Sequence, residues 1–382
     1  MEVKRTERFF LQEKAVLRWI EEPSVYHTGQ DDLYELDDES FAFLKQCASP
    51  QGALHERNEF IECCLKELIL DTRKSLSVHP PVVKSPVPSL RYLELQITDR
   101  CNLKCCHCYI GRGGSHELPV GQVLSVLAEF EALQGLRVLI SGGEPLVHRG
   151  FGKINSFLPN FRVRKVLFTN GLLLTKEILR GLNVDEIQIS IDGMEKGHDA
   201  LRGAGGFKRA MEALRLARDF GFNVSVATMI HSGNLRDFDE MGKVLKGLGI
   251  RDWTVDVPCA TGTLKENRDL QPGPEVAGKY LKYGFGGGPH GSAKGFGCGL
   301  HLVSVLADGR VAKCTFYADR TLGRIEDGLL ACWGRLKPVR LSDLGCDCEL
   351  IETCRGGCRF RAETLGDPLG KDLFKCHMYD IL

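Results

Sequence analysis

This 382-residue chain lacks an excess of either charge, a long apolar run and an export signal. Lysine plus arginine total 50, and aspartate plus glutamate total 50. With no net charge there is no broad electrostatic footprint for nucleic acid or anionic lipid, so neither is expected as a partner. No stretch approaches the ~18 consecutive apolar residues needed to cross a bilayer. The first residues, Met1 to Arg8, are charged and contain no apolar signal core, so a cytoplasmic, reducing location is the expectation. Cysteine, by contrast, is abundant, with 16 residues. In a reducing compartment, clustered thiols point to metal or redox chemistry rather than to disulfides. The hydrophobic content of 43% is ample for a packed core, and the length suggests two or three domains.

Residues 1–75 read as a small winged-helix-like module. Ala15 to Ile20, Ser24 to His27 and Asp32 to Leu36 have the composition of short strands. Asp37 or Asp38 is placed to cap a helix. Phe41 and Leu44 mark one helical face, and Phe60, Ile61, Cys64, Leu65, Leu68 and Ile69 mark another. Four prolines (Pro80, Pro81, Pro86, Pro88) then make residues 76–90 a semi-rigid linker. From Tyr92 the pattern becomes strand then helix, repeated. The expected strands are Tyr92–Thr98, Arg137–Ser141, Arg164–Asn170, Glu186–Asp192, Asn223–Ile230 and Asp252–Pro258, with amphipathic helices such as Phe207–Phe220 and Leu235–Leu248 between them. Six such units imply parallel strands with right-handed crossovers. The expected fold is therefore α/β, a partial (β/α)6 barrel of the TIM type over residues 91–290, two units short of closure. Residues 265–297 are glycine-rich and read as a flexible bridge. Residues 291–382 form a cysteine-rich iron–sulfur domain, expected to depend on metal clusters for its fold.

The chemistry concentrates at the first strand end. Cys101, Cys105 and Cys108 have CxxxCxxC spacing, which differs from the paired cysteines of zinc sites. Iron–sulfur cubes are normally held by four thiolates. Three from one loop leave one iron open to a small molecule, although a structural zinc loop is the plainer alternative. Cys106 abuts Cys105 and is expected to point elsewhere. At the second strand end, Ser141-Gly142-Gly143-Glu144-Pro145 combines close backbone approach with a carboxylate suited to an ammonium group.

The loop, the Gly-Gly-Glu segment and the six βα units together resemble a radical S-adenosylmethionine (SAM) enzyme. The resemblance implies a [4Fe-4S] cluster on Cys101, Cys105 and Cys108, with SAM on the open iron. Reductive cleavage of SAM would yield a 5′-deoxyadenosyl radical that takes hydrogen from substrate. Gly142, Gly143 and Glu144 would hold the SAM amino group, and Tyr109 would pack near the adenine. Ser190, Asp192 and Arg202 resemble the family's ribose and carboxylate contacts; a strand-end turn and a solvated arginine are the alternatives.

The tail resembles the SPASM extension, which implies two auxiliary [4Fe-4S] clusters. Cys298, Cys314 and Cys358 would ligate the first; Cys346, Cys348, Cys354 and Cys376 would ligate the second. Two features depart from that pattern. Cys346 and Cys348 are one residue closer than usual, and no fourth cysteine lies just upstream of Cys298. The first cluster would then have an open iron able to take a substrate thiolate. Cys332 is either a replacement for Cys346, the missing ligand of the first cluster, or a buried core thiol. Cys259 is either a hydrogen-atom donor or a packed small residue. Zinc ribbons are the plainer reading of the whole tail. Thr315 after Cys314 departs from the sulfatase-maturating relatives, which carry aspartate there.

The N-terminal module resembles the peptide-recognition element, similar to the pyrroloquinoline quinone chaperone, that is fused to peptide-modifying members of the family. It would bind a leader peptide as an added strand. DNA is disfavoured by the acidic run Glu35, Asp37, Asp38 and Glu39. The expected function is maturation of a ribosomally made precursor peptide, with a thioether crosslink as the favoured product and a flavodoxin or ferredoxin as reductant. The alternatives are a radical maturase of another protein or a tetrapyrrole precursor, and an iron–sulfur electron carrier or sensor without SAM chemistry.

Overall fold

The structure, a computed structural model, describes residues 6–74, 79–288, 290, 295–298 and 300–382. Its N-terminal part contains β1 (Thr6–Leu11), β2 (Ala15–Trp19), β3 (Pro23–His27), β4 (Asp32–Glu35), α1 (Asp38–Cys47), β5 (Ala53–Glu56), α2 (Glu59–Lys66) and β6 (Leu70–Asp71). Two three-stranded sheets result, in the orders β5-β1-β6 and β2-β3-β4. Asp37 caps α1 by accepting from the Ser40 amide at 2.7 Å, which fixes where the helix begins. Helix α2 stops at Lys66, short of the expected Leu68. Leu68 takes φ +56 and is 46% exposed, so only Ile61 and Cys64 of the anticipated face are buried within the helix. Strands β1, β5 and β6 escaped the sequence reading; β5 is largely exposed and β6 has two residues.

This module has its own apolar core, yet it is pinned to the start of the barrel strands by buried charge. Arg18 is fully buried and donates to the Gly135 carbonyl at 3.2 Å and the Arg162 carbonyl at 2.5 Å. Asp31 pairs with Arg137 and lies 3.7 Å from Arg164, and Lys14 pairs with Asp185 at 2.7 Å. The connecting segment is also anchored. Trp333 Nε1 donates to the Pro88 carbonyl at 2.8 Å, and Glu21 accepts from the Ser89 amide at 2.8 Å. Linker residues 76–78 lie outside the described residues.

The barrel follows as β7 (Tyr92–Thr98), α3 (Val120–Ala132), β8 (Arg137–Gly142), α4 (Phe151–Phe157), β9 (Arg164–Thr169), α5 (Lys176–Arg180), β10 (Glu186–Ser190), α6 (Glu195–Arg202), α7 (Gly206–Asp219), β11 (Asn223–Met229), α8 (Phe238–Gly247) and β12 (Asp252–Asp256). Strands β7 to β12 lie side by side in chain order and are parallel. Alternation along β7 sends Leu93, Leu95 and Ile97 into the main apolar core, while Glu94 bonds with polar groups on the other face: Ser141 at 3.4 Å and Ser304 at 3.1 Å. One face thus packs on helices and the other is polar. The α/β partial-barrel class expected from the repeated strand–helix pattern is the observed one.

Two expectations need correction. The segment taken as a flexible bridge contains α9 (Pro274–Leu281), started by proline at its first position and burying Ala277, Gly278 and Leu281. A Cβ at Gly278 would lie 2.5 Å from His377 Cβ, so the glycine that weakened the helical signal is what allows close packing. Residues 289 and 291–294 of that segment lie outside the described residues. The second correction concerns the tail. After α9 come β13 (Leu302–Val305), β14 (Arg310–Ala312), β15 (Thr321–Arg324), α10 (Leu329–Gly334), α11 (Ile351–Cys354), α12 (Arg359–Thr364) and α13 (Leu373–Met378). Strand β13 pairs parallel to β7, and β14 and β15 extend the sheet to nine strands. Part of the tail is therefore held by the main sheet and core, independently of any metal.

Candidate active site

The loop after β7 is held largely through its backbone. The Cys108 carbonyl accepts from the Gly111 and Thr263 amides at 3.1 and 3.0 Å. Thr263 Oγ1 donates to the Cys105 carbonyl at 3.0 Å, and Asn267 Nδ2 to the Cys106 carbonyl at 3.1 Å. The Cys106 amide donates to the Leu201 carbonyl at 3.0 Å. A short turn after β12 and the end of α6 thus set the curvature of the loop.

Cys101, Cys105 and Cys108 line one cavity of about 670 Å³ together with Tyr109, Gly142, Gly143, Ser190 and Arg202. That volume lies within the roughly 300–1,000 Å³ of small-molecule sites. Cys106 also borders the cavity, contrary to the expectation that it points elsewhere. Burial pushes the Cys105 thiol up to about 12, so its binding to iron would displace a proton.

Two of the expected cofactor contacts do not reach the cavity wall. Glu144 is fully buried, and its carboxylate accepts from Thr169 Oγ1 at 2.9 Å, the Asn170 amide at 2.9 Å and the Leu146 amide at 3.2 Å. Burial raises it to about 7. It ties the ends of β8 and β9 together, and the backbone of Gly142 and Gly143 faces the cavity. Asp192 is likewise buried. Burial pushes its carboxyl up, but the Arg202 guanidinium outweighs that and holds it at about 2. Its oxygens accept from Arg202 Nε at 2.5 Å and the Met229 amide at 2.7 Å. Asp192 therefore orients Arg202, which is the group at the wall.

Glu94, Thr263 and Asn267 went unseen in the sequence, whereas Asn170 stands at the third strand end, where site groups are expected. Asn170 Nδ2 bonds Asn102 Oδ1 at 2.8 Å and lies 4.0 Å from Cys101 Sγ. Glu94 accepts from Tyr109 OH at 3.4 Å and steadies the ring beside the cavity. Burial raises the Glu94 carboxyl above its usual range. Thr263 and Asn267 carried no local motif.

Glycine is required at one further place. Gly262 has φ +51, and a Cβ there would lie 2.0 Å from the Cys108 carbonyl oxygen and 2.7 Å from the Gly111 amide nitrogen. Gly262→Ala should displace the loop and lower iron content by about four per chain, with the circular dichroism spectrum unchanged. Retention of full iron would show that the loop tolerates the displacement.

The tail thiols fall into two groups. Cys346, Cys348, Cys354 and Cys376 surround one small recess with Lys371 and Lys375. Cys298 and Cys259 both lie beside the Cys358 sulfur, and Cys314 is close enough to interact with it electrostatically. Cys332 is in neither group. It is fully buried in the main core, and its thiol donates to the Arg324 carbonyl at 3.4 Å. Among the described residues, no three His, Cys, Asp or Glu side chains form a site for a single metal ion. A four-iron cube makes a different demand, one thiolate per iron at separate corners, and an all-thiol donor set suits it.

Residues 95–245 match the Radical SAM superfamily. The chain is 31% identical over 193 residues to the AdoMet-dependent heme synthase of Methanosarcina barkeri, covering 48% of this chain and 54% of that protein; the match thus spans about half of the heme synthase. It is 28% identical over 317 residues to the mycofactocin maturase MftC of Mycolicibacterium smegmatis, covering 72% of this chain and 80% of MftC. Among solved structures, SuiB of Streptococcus suis bound to its precursor peptide SuiA superposes with a TM-score of 0.69 over 95% of this chain and 98% of that one, at 13% identity. At that identity the likeness is one of fold. Among the described residues, no helix is long and apolar enough to cross a membrane.

Proposed function

We propose that this chain, whose residues 95–245 match the Radical SAM superfamily, is a maturase that modifies a ribosomally made precursor peptide. The observation that carries this reading is the convergence of three loop thiols, two glycine-lined strand positions and an aimed arginine on one cavity at the strand ends. Cys101, Cys105 and Cys108 would hold a [4Fe-4S] cluster, and the Gly142–Gly143 backbone, Ser190, Arg202 and Tyr109 would hold SAM. When bound, that cluster and SAM supply a 5′-deoxyadenosyl radical that removes hydrogen from the peptide. Arg202, fixed by Asp192, offers a cation to the SAM carboxylate. Tyr109, held by Glu94, would pack near the adenine. The two groups of tail thiols would hold two auxiliary clusters. The product we favour is a thioether: the peptide carbon would lose a hydrogen atom to the radical and the cysteine thiol a proton, the carbon–sulfur bond would form, and the one electron left over would pass to an auxiliary cluster. A flavodoxin or ferredoxin would supply the electron.

A peptide substrate is supported by the 72% coverage of this chain in the match to a named maturase and by the N-terminal module. Strand β4 pairs only with β3 among the described residues, which leaves an edge open to an added strand. The module is docked under the strand starts, so an extended peptide must span roughly 20 Å, the length of β7, to reach the loop. At ~3.5 Å per residue this calls for at least about six residues between leader and modified core. Action on a tetrapyrrole precursor is the second reading, favoured by the heme synthase likeness over 48% of the chain.

The first test is anaerobic reduction of the reconstituted protein with SAM, which should release 5′-deoxyadenosine; a carrier without SAM chemistry would release none. The second test addresses the leader. Removing residues 1–75 would strip Asp31 from Arg137 and Arg164 and uncover the barrel floor, so a point change is cleaner. The Leu36 amide donates to the Pro23 carbonyl. By alternation, the Tyr34 and Asp32 amides also face β3, and those of Leu33 and Glu35 face outward. Glu35→Pro deletes an outward donor, and an edge strand tolerates proline at such a position. Loss of about 1–3 kcal/mol should lower kcat/KM for the leader-bearing peptide by roughly 5- to 150-fold, with SAM cleavage unchanged. Equal processing by variant and wild type would remove β4 as the leader site.

A further inference from the structure

We propose that Cys259 is the fourth protein ligand of the first auxiliary cluster, completing the set Cys298, Cys314 and Cys358. This rests on the reading that the tail carries auxiliary clusters, and it removes the open iron that the spacing around Cys298 implies.

Cys259 lies three residues beyond the C-terminal end of β12 and is 3% exposed. Its thiol lies beside the Cys358 sulfur, as does the Cys298 thiol. The backbone explains why these sulfurs meet. Cys358 caps α12, and its amide donates to Asp372 Oδ2 at 2.7 Å. Three residues on, Arg361 pairs with Asp256, the last residue of β12, at 2.5 Å. The ion pair draws the start of α12 against the end of β12. The Cys259 carbonyl accepts from the Thr261 amide at 2.6 Å, and Gln271 Nε2 donates to the Pro258 carbonyl at 2.6 Å, so the turn carrying Cys259 is itself held.

Cys332 supplies the contrast. It too is buried, but its neighbours are a carbonyl and charged side chains, with no thiol among them. That is the setting of a packed cysteine. Two unlinked thiols, Cys259 and Cys298, each against the Cys358 sulfur, with Cys314 beside it, make four soft donors, the number a four-iron cube takes. Ligation breaks each S–H bond, forms an S–Fe bond and releases a proton to solvent; the thiols are neither oxidised nor reduced.

A cluster with a thiolate on every iron has no corner for a substrate sulfur. The peptide thiol is then not held at the first auxiliary site, and open iron is confined to the loop of Cys101, Cys105 and Cys108. Cys259, as a ligand, is also withdrawn from hydrogen-atom donation.

The test uses the full chain with Cys101, Cys105 and Cys108 all replaced by alanine, which removes the loop cluster. After anaerobic reconstitution this protein should carry about eight irons, and its Mössbauer and EPR spectra should not change on adding 2-mercaptoethanol. In the same background Cys259→Ala should open a corner, so that 2-mercaptoethanol now shifts the spectra; Cys259→Ser should give a shifted signal without added thiol. Should neither variant fold, the thiol challenge of the parent protein still decides: a shift there overturns the proposal, and so does a Cys259→Ala spectrum indistinguishable from the parent's. A parent without tail iron would overturn the auxiliary-cluster reading itself. That outcome is distinct from eight irons with a thiol-sensitive spectrum, which overturns Cys259 alone.

Discussion

Replacing any one of Cys101, Cys105 or Cys108 by alanine is expected to lower 5′-deoxyadenosine formation by roughly a thousandfold or more, which is about 4 kcal/mol at 1.36 kcal/mol per tenfold. The loop presents three thiols to one cavity, and each would hold a different iron corner. With one thiol gone, a cube retains two protein ligands from the loop, and its iron is expected to be lost on desalting. Iron should fall by about four per chain, while the tail thiols, on separate elements, keep theirs. Product analysis by mass spectrometry and iron quantification on the same samples check both parts. The backbone between Cys105 and Cys108 is pinned by Thr263, Asn267 and Leu201, so these variants should fold. Unimpaired SAM turnover in any of the three would refute the placement of the radical chemistry.

The second large effect is expected at Arg361. Its guanidinium is buried and joins two carboxylates. Nη2 meets Asp372 at 2.8 Å, and Nη1 meets Asp256 at 2.5 Å. Asp372 is fully enclosed, at 1% exposure, and also accepts from the Cys358 amide. Arg361→Ala leaves that carboxylate short of its cation inside the protein, a change that costs about 3–5 kcal/mol. Lysine should rescue poorly, because one ammonium cannot reproduce the planar fork that reaches both acids. The midpoint of chemical denaturation should fall accordingly. Iron bound by the tail should also fall, since Cys358 is the N-cap of α12 and Asp372 the N-cap of α13, which carries Cys376. A variant within about 1 kcal/mol of wild type, with full iron, would show that the latch does not position these thiols.

The six barrel strands were legible because each alternates between a helix-packed and a cavity-facing side over five to seven residues, which is a local signal. The loop was legible for the same reason: its three thiols lie within eight consecutive residues, on chain that directly follows β7. Helix α9 was not, because Gly278 lowers helical propensity while serving contact with His377. Strand β13 was not, because four residues carry little periodicity, and its partner β7 lies some 200 residues earlier in the chain.

The sequence by itself determined the partial barrel, the place of the three-thiol loop at its first strand end and the abundance of thiols in the tail. Those are properties of short contiguous stretches, in which side-chain spacing dictates geometry. Only the tertiary structure decided which side chains reach the cavity. It put Glu144 and Asp192 beneath the wall as supports and left Arg202 and the glycine backbone upon it. It also sorted the tail thiols, placing Cys332 in the core and Cys259 against Cys358. Such pairings depend on buried ion pairs and sheet order between distant segments, Arg361 with Asp256 above all, and no local pattern encodes them.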